Sequence, residues 1–175
     1  MESKTETTAI YVKSLRTYKI FVLGTKNTGK SAYIYHLLGG KDKPDNPDKI
    51  SFRFCNQIVD NEPLRLMMCE CPGSIKLETI TKCLKDTQAF MIFVDCNDYA
   101  GFVEILDFVK TNCPSVPLIV VFNVDQSRKE MEEYMFNGHK TFNMNSYNFT
   151  DVDRPVHYLL KQISKHGGKK PKHKG

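Results

Sequence analysis

The sequence lacks the segments that would place a protein in or on a membrane. No apolar run approaches the ~18 residues that a transmembrane helix needs. The first residues, Met1 to Lys4, are polar and carry no apolar core of a secretion signal. Position 2 is Glu and the chain ends at Gly175 without a terminal Cys box, so the signals for myristoylation and prenylation are absent. We therefore expect a cytoplasmic protein with no transmembrane segment and no direct lipid anchor.

The cysteines lack the spacing of a metal site. The 6 cysteines include no C-x-x-C pair, Cys69 and Cys96 lie inside apolar runs, and the 5 histidines are scattered. A structural zinc site needs closely spaced Cys and His ligands. The pattern favours reduced thiols in a cytosolic protein.

Positive charge is concentrated at one end of the chain. The net charge is +5, and residues 165–175 contain Lys165, Lys169, Lys170, Lys172 and Lys174 but no acid, so the remaining Lys+Arg balance the 20 Asp+Glu. We expect a flexible basic tail there, making weak, salt-sensitive contacts with acidic surfaces and no specific contacts with nucleic acid. Residues 1–16 are expected to form an N-terminal extension.

Strand and helix patterns alternate along residues 17–164. The most apolar stretch, residues 89–95, predicts a central parallel strand. Residues 50–59 and 64–69 flank a turn and predict an antiparallel hairpin. Alternation of this kind predicts an α/β fold: a mostly parallel six-stranded sheet with one antiparallel edge strand and helices on both faces. The remaining predicted strands are 18–23, 116–123 and 141–144, and the predicted helices are 31–38, 77–84, 102–109, 127–136 and 152–163.

Residues 24–31 read Gly-Thr-Lys-Asn-Thr-Gly-Lys-Ser and match the motif G-x-x-x-x-G-K-[ST] between a strand and a helix. The two glycines allow the backbone to curl so that its N–H groups point at phosphate. Lys30 is expected to contact the β- and γ-phosphates, and the Ser31 hydroxyl to bind Mg²⁺. The sequence thus predicts a P-loop NTPase. The nucleotide contacts of this loop are assigned to Gly24, Asn27, Thr28, Gly29, Lys30, Ser31 and Ala32.

A second motif follows the strand at residues 64–69. Residues 70–73 read Glu-Cys-Pro-Gly, and Asp60 lies ten residues before Glu70. In these features the chain resembles the Ras superfamily of small GTPases, with its D-x-x-G signature, over residues 17–164. The resemblance implies a small G-domain that binds GTP or GDP with Mg²⁺ and hydrolyses GTP slowly as a switch. It places Glu70 on the metal, and it makes the Gly73 N–H the group that senses the γ-phosphate.

The chain departs from that family at its catalytic positions. Residues 32–50 contain no Ser or Thr to serve as the switch-loop ligand, and Ser51 is the nearest hydroxyl. Ser74 stands where the family has a Gln that orients the attacking water, and Lys26 stands where a small Gly is common. We assign the catalytic roles to Lys30 and Ser74, and we expect hydrolysis to be slow because a short side chain positions water poorly.

The base-reading motif is also incomplete. Asn123 matches the first residue of N-K-x-D, but Val124 replaces the Lys, and the acid is either Asp125, one residue early, or is replaced by Gln126. The S-A-K loop is matched loosely at Ser146. We assign Asn123, Asp125 and Ser146 to the base, which leaves the choice between guanine and adenine open.

Several short segments of the sequence are most similar to the C-terminal GTPase domain of mitochondrial Rho (Miro) proteins. The similarity lies in residues 28–32 (Thr-Gly-Lys-Ser-Ala), Leu38-Gly39 and Cys69-Glu70. It implies a protein effector or scaffold partner, and through that partner a place on an organelle surface such as the mitochondrion. Two alternatives stay open: a pseudo-GTPase interaction scaffold, and a P-loop ATPase or small kinase, although the Arg residues are scattered. Tyr33, Tyr35 and Phe102 are expected to pack in the core or at its rim.

Overall fold

The computed structural model describes residues 15–40, 47–95, 97–123, 135–136, 138–145 and 151–167. Seven strands and three α-helices are assigned within these ranges, together with a 3₁₀ helix at Leu77–Leu84. The strands are β1 (Arg16–Gly24), β2 (Ser51–Val59), β3 (Glu62–Glu70), β4 (Ala89–Val94), β5 (Leu118–Asn123), β6 (Met135–Phe136) and β7 (His139–Met144). The α-helices are α1 (Lys30–Leu37), α2 (Tyr99–Asn112) and α3 (Arg154–Gly167).

The strands form one sheet in the order β2-β3-β1-β4-β5-β7-β6. Strands β3, β1, β4, β5 and β7 run parallel, and β2 pairs antiparallel with β3 at one edge. The hairpin between β2 and β3 turns at Asp60 and Asn61, whose φ angles are 51° and 63°. Both lie in the left-handed region that two-residue hairpin turns use and that Asp and Asn tolerate. The six predicted strands are therefore present, five parallel and one antiparallel at an edge, and β6 adds a seventh strand that pairs antiparallel with β7 at the other edge.

The two faces of the sheet carry separate hydrophobic clusters. Side chains alternate along each strand, so Ile20 and Val22 join one cluster while Phe21 and Leu23 join the other. The first cluster includes residues of α1 and α3, and the second includes residues of α2 and of the 3₁₀ helix. Strand β4 is buried along its whole length, as its apolar run predicts. The elements that carry loops are thus held from both sides.

One predicted helix is wrong at its end. Residues 127–136 were expected to be helical, but Met135–Phe136 form β6, which pairs antiparallel with β7. Residues 127–134 lie outside the described residues. The spacing of Met131, Tyr134 and Met135 suggests a helix, whereas the pairing that decides β6 comes from β7, farther along the chain. Helix α3 continues to Gly167, into the predicted basic tail, and residues 168–175 lie outside the described ranges.

Helices α1 and α2 each bury one face, with their buried residues three to four positions apart. Helix α2 begins at Asp98, whose side chain accepts a hydrogen bond from the Gly101 N–H at 3.0 Å, the usual N-cap arrangement. Its buried residues include Phe102, and α1 buries Tyr33, so both aromatics pack in the core as expected. Among the helices of the described ranges, none is both long and apolar enough to cross a lipid bilayer.

Edge strand β2 exposes apolar side chains on one face. Phe52, Phe54 and Ile58 alternate along the strand, and Ile58 is 69% exposed. The Arg65 guanidinium of β3 lies 4.4 Å from the centre of the Phe54 ring. The intervening residues Arg53 and Cys55 point inward and are buried. An inward-pointing arginine is unusual in such a strand.

Candidate functional site

The candidate site lies where the parallel strands end. Gly24 ends β1, Glu70 ends β3 and Asn123 ends β5, and the carboxyl ends of parallel strands meet at one edge of a sheet. Ligands of open α/β sheets bind in the crevice at this edge. Strand β4 separates β1 from β5, so Gly24 and Asn123 stand two strand spacings apart, about 10 Å.

The glycine loop, residues 24–31, connects β1 to α1 as the sequence predicts. Asn27 and Gly29 adopt φ angles of 59° and 91°, and Gly29 is the N-cap of α1. These left-handed positions curl the chain back over the start of the helix. A Cβ at Gly24 would lie 2.7 Å from the Phe93 carbonyl oxygen, so only glycine fits there. The loop thus combines a tight turn with a close approach to β4.

Lys30 directs its ammonium group into the glycine loop. Its Nζ donates to the Gly24 carbonyl at 2.9 Å, the Thr25 carbonyl at 2.7 Å and the Thr28 hydroxyl at 3.3 Å. The residue is only 6% exposed. Burial lowers the pKa of Lys30 below its usual value, and the nearby charge of Glu70 partly opposes this shift. The arrangement holds a desolvated cation at the centre of the loop, where it can attract an anion.

The backbone of the same loop offers hydrogen-bond donors. Within the described residues, the N–H groups of Asn27, Thr28 and Gly29 donate no hydrogen bond to another backbone group. The start of a helix leaves such donors unpaired, and they attract anions. Thr28 is almost fully buried, and its hydroxyl donates to the Thr25 carbonyl at 3.0 Å, which fixes the turn. Ala32 lies in the first turn of α1, so six of the seven loop residues assigned to nucleotide contacts, Asn27 to Ala32, form one continuous segment, and Gly24 precedes it.

Glu70 is held by two partners. The Ser31 hydroxyl donates to its Oε1, and the Arg53 guanidinium forms an ion pair with its Oε2. Arg53 and Glu70 are both 6% exposed. In the β2–β3 ladder Arg53 lies opposite Met68, which makes Glu70 its diagonal neighbour on the same face. The sequence assigned Ser31 and Glu70 to one metal site, and the structure brings the two side chains into contact; the sequence did not indicate Arg53.

The donor set around Glu70 does not fit the predicted magnesium ion. Mg²⁺ takes hard oxygen ligands at about 2.1 Å in octahedral geometry. Here the Ser31 hydroxyl donates its hydrogen to Glu70, and Arg53 places a positive charge against the same carboxylate. Ser31 and Glu70 would have to release each other and Arg53 before they could bind Mg²⁺.

The segment after β3 folds back over the glycine loop. A Cβ on Gly73 would lie 2.5 Å from the Thr25 carbonyl carbon and 2.9 Å from the Lys26 Cα. Ser74 follows on the exposed surface. The structure therefore places Gly73 against the part of the loop where the γ-phosphate was predicted, and Ser74 beside it.

A cleft of about 650 Å³ opens next to the glycine loop, between residues 71–78 and α2. Gly24, Gly73 and Ser74 line it, together with the acidic side chains of Glu78 and Glu104. Lys30 and Ser31 are not among its lining residues. Lys76 also lines the cleft, but the two carboxylates leave its charge negative and unfavourable for phosphate, so the phosphate position we infer lies on the Lys30 side of the loop.

The predicted base contacts are only partly described. Asn123 is half-buried at the end of β5, beside Met144 of β7. Asp125 and Ser146, the other residues assigned to the base, lie outside the described residues, as does Val124. Ser51, the nearest hydroxyl to the switch loop, starts β2 opposite Glu70, and its Oγ is buried without a hydrogen-bond partner in the described part of the chain. Base choice and the role of Ser51 stay predictions.

The cysteines near the site are protonated. Burial raises the pKa of Cys69 to about 12 and that of Cys71 to about 11. All cysteines of the described residues are free of disulfides. A thiol with so high a pKa is a poor nucleophile at neutral pH, so these residues pack against the second cluster and do not supply chemistry.

No protein-family model matches this chain, and no curated protein matches it in sequence. The resemblance to small GTPases stays a prediction that rests on the motifs.

Proposed function

We propose that this protein is a P-loop nucleotide-binding protein of the small G-domain type, which binds GTP and GDP and hydrolyses GTP slowly as a switch. The observation that carries the proposal is the glycine loop: a buried Lys30 ammonium and unpaired N–H groups at the start of α1 converge at the end of β1. Cations and backbone donors in this arrangement suit a di- or triphosphate. Asn123 ends β5 at the same sheet edge and supports a base position there.

Slow turnover follows from the groups near the expected γ-phosphate. Ser74 is too short to orient water as a Gln does, and Gly73 brings only backbone to the loop. Lys26 adds a cation on the exposed side of the loop, where it can stabilise charge on the phosphate. Catalysis of phosphoryl transfer depends on positioning, so a site without a water-positioning side chain is expected to turn over slowly.

A second candidate is a pseudo-GTPase scaffold with weak or no hydrolysis. The observation that favours it is that both Glu70 oxygens contact protein groups, Ser31 and Arg53, so this carboxylate is engaged in the fold instead of holding an attacking water or a metal. A nucleotide that is held but not cleaved would then act as a structural ligand. A protein effector is the partner that either candidate requires.

The first experiment is the nucleotide content of the purified, unboiled protein, measured by denaturation and ion-exchange chromatography. We expect GDP or GTP at close to one per chain. Competition of GTP, GDP and ATP against a fluorescent GDP analogue then tests base choice. The proposal is contradicted if the purified protein contains no nucleotide and binds none of these nucleotides, with or without Mg²⁺. If the protein binds nucleotide but hydrolyses GTP no faster than a Lys30→Ala variant does, the result supports the pseudo-GTPase scaffold.

A further inference from the structure

Arg53 and Glu70 form a buried ion pair beside the glycine loop. Each residue is 6% exposed, and Arg53 reaches Glu70 from the neighbouring strand of a regular hairpin. A buried pair of this kind is held because each charge, left alone, would be desolvated without compensation. The pair is therefore a fixed part of the site and differs from a surface contact that forms and breaks in water.

The Arg53–Glu70 ion pair lies next to the residues of the glycine loop that are proposed to bind phosphate. Glu70 accepts from Ser31, the residue that follows Lys30 in the loop, and its charge acts on the Lys30 ammonium. An uncompensated carboxylate there would repel a phosphate bound to the loop. A divalent cation is the usual means of cancelling such a charge in a P-loop site. In this protein the guanidinium of Arg53 already cancels it.

We propose that Arg53 takes over the charge-neutralising role of Mg²⁺, so that the nucleotide binds to the glycine loop without a divalent cation. This inference rests on the proposed nucleotide-binding function. Arg53 contacts Glu70 and not the nucleotide, so it is a positioning residue. Through Glu70 it holds Ser31, and it leaves Lys30 and the backbone N–H groups as the cationic and polar partners of the phosphates.

The affinity of the wild-type protein for a fluorescent GDP analogue, measured in EDTA and in Mg²⁺, tests the inference directly. We expect the two dissociation constants to agree within about threefold, because the protein supplies the positive charge itself. A loss of affinity of about tenfold or more in EDTA overturns the inference and leaves the proposed function standing. Absence of binding in both buffers overturns the proposed function, and the inference with it.

Substitution of Arg53 provides the second test. Arg53→Met keeps the length of the side chain and removes the charge, which leaves Glu70 free for a metal. We expect this variant to bind about tenfold more tightly in Mg²⁺ than in EDTA. The matched control is Arg65→Met, which removes an exposed guanidinium from the adjacent strand. We expect the control to behave as wild type, and equal EDTA sensitivity of the two variants overturns the inference.

A double variant covers the case in which Arg53→Met does not fold. Arg53→Met with Glu70→Gln removes both charges, so no isolated buried charge is left in the strand pair. If Arg53 serves only to cancel Glu70, the dissociation constants of this variant for the analogue in EDTA and in Mg²⁺ agree within about threefold. Recovery of strong Mg²⁺ dependence in the double variant overturns the inference. The melting temperature of each variant shows whether the folded protein was measured.

Discussion

Gly73 and Lys26 lie so close together that no side chain fits between them. A Cβ on Gly73 would lie 2.9 Å from the Lys26 Cα and 2.5 Å from the carbonyl carbon of Thr25. These neighbours are backbone atoms, which cannot rotate away as a side chain can. The segment after β3 and the glycine loop are therefore in mutual contact, and a change in one is transmitted to the other.

Gly73→Ala is expected to destabilise the protein. The added methyl group must push the segment after β3 away from the glycine loop, and overpacking of this kind costs about 1–3 kcal/mol. Urea unfolding measures the loss. The matched control is Lys76→Ala, an exposed position in the same segment, where we expect a change within about 0.5 kcal/mol. Equal stability of wild type and Gly73→Ala would mean that the two segments separate freely in solution.

Lys30→Ala is expected to weaken nucleotide binding. The variant removes the one buried ammonium of the glycine loop, and a hydrogen bond to a charged group contributes about 1.5–3 kcal/mol, which corresponds to a roughly ten- to hundredfold loss of affinity. Equilibrium binding of a fluorescent GDP analogue measures it. Lys85→Ala, an exposed lysine outside the loop, serves as the control and should bind as wild type. Similar affinities of the two variants would remove Lys30 from the phosphate site.

Because Lys30 is buried, we expect the free energy of unfolding to depend on pH. Its pKa in the folded protein is lowered from 10.5, mainly by burial, so the unfolded chain binds more protons between the two values. The free energy of unfolding therefore rises with pH in that window, and the cost of burying the charge is fully present below the folded-state pKa. Lys30→Met has no such group. We expect the stability of wild type relative to Lys30→Met to increase as the pH rises toward the ordinary lysine pKa of 10.5 in urea unfolding. Parallel profiles would contradict the shift.

Tyr33 ties α1 to the segment that precedes α3. Its buried hydroxyl donates to the Val152 carbonyl at 2.8 Å. Tyr33→Phe keeps the ring and leaves that carbonyl without its donor, so we expect a loss of about 1–2 kcal/mol in urea unfolding. The control is Tyr158→Phe on α3, which retains the edge-to-face contact with Phe142. A loss as large in the control would show that the hydroxyl of Tyr33 is not the cause.

Most of the sheet could be predicted from the sequence, because its strands and turns are marked by short stretches of neighbouring residues. An apolar run such as Ala89–Val94 is too short for a helix and too apolar for an exposed strand, so it identifies a buried central strand. The turn at Asp60 and Asn61 identifies the hairpin in the same way. Strand β6 could not be predicted, because two residues carry no period and their pairing with His139 and Lys140 depends on the folded sheet. The strand β7 likewise begins earlier than its apolar residues suggest.

The residues of the candidate site could be predicted from the sequence where they belong to a motif. They could not be predicted where their contacts depend on how the strands pair. The glycine-loop motif places Lys30 and Ser31, the resemblance to small GTPases adds Glu70, and the structure brings Ser31 and Glu70 into contact. Arg53 could not be predicted from the sequence, because the alternation of Phe52, Arg53 and Phe54 predicts buried phenylalanines and an exposed arginine, the reverse of what the structure shows. Its partner could not be predicted either, since the diagonal relation to Glu70 requires the β2–β3 register.

The hydrogen bonds of Lys30 have a consequence for the thermodynamics of recognition. Its ammonium group is held by three oxygens of the loop to which it belongs. The loop therefore has its shape before any ligand binds. An incoming anion replaces loop oxygens as hydrogen-bond partners of the Lys30 ammonium group, and the loop is already ordered. The entropy of ordering this segment is lost when the chain folds, and little of it remains to be lost on association.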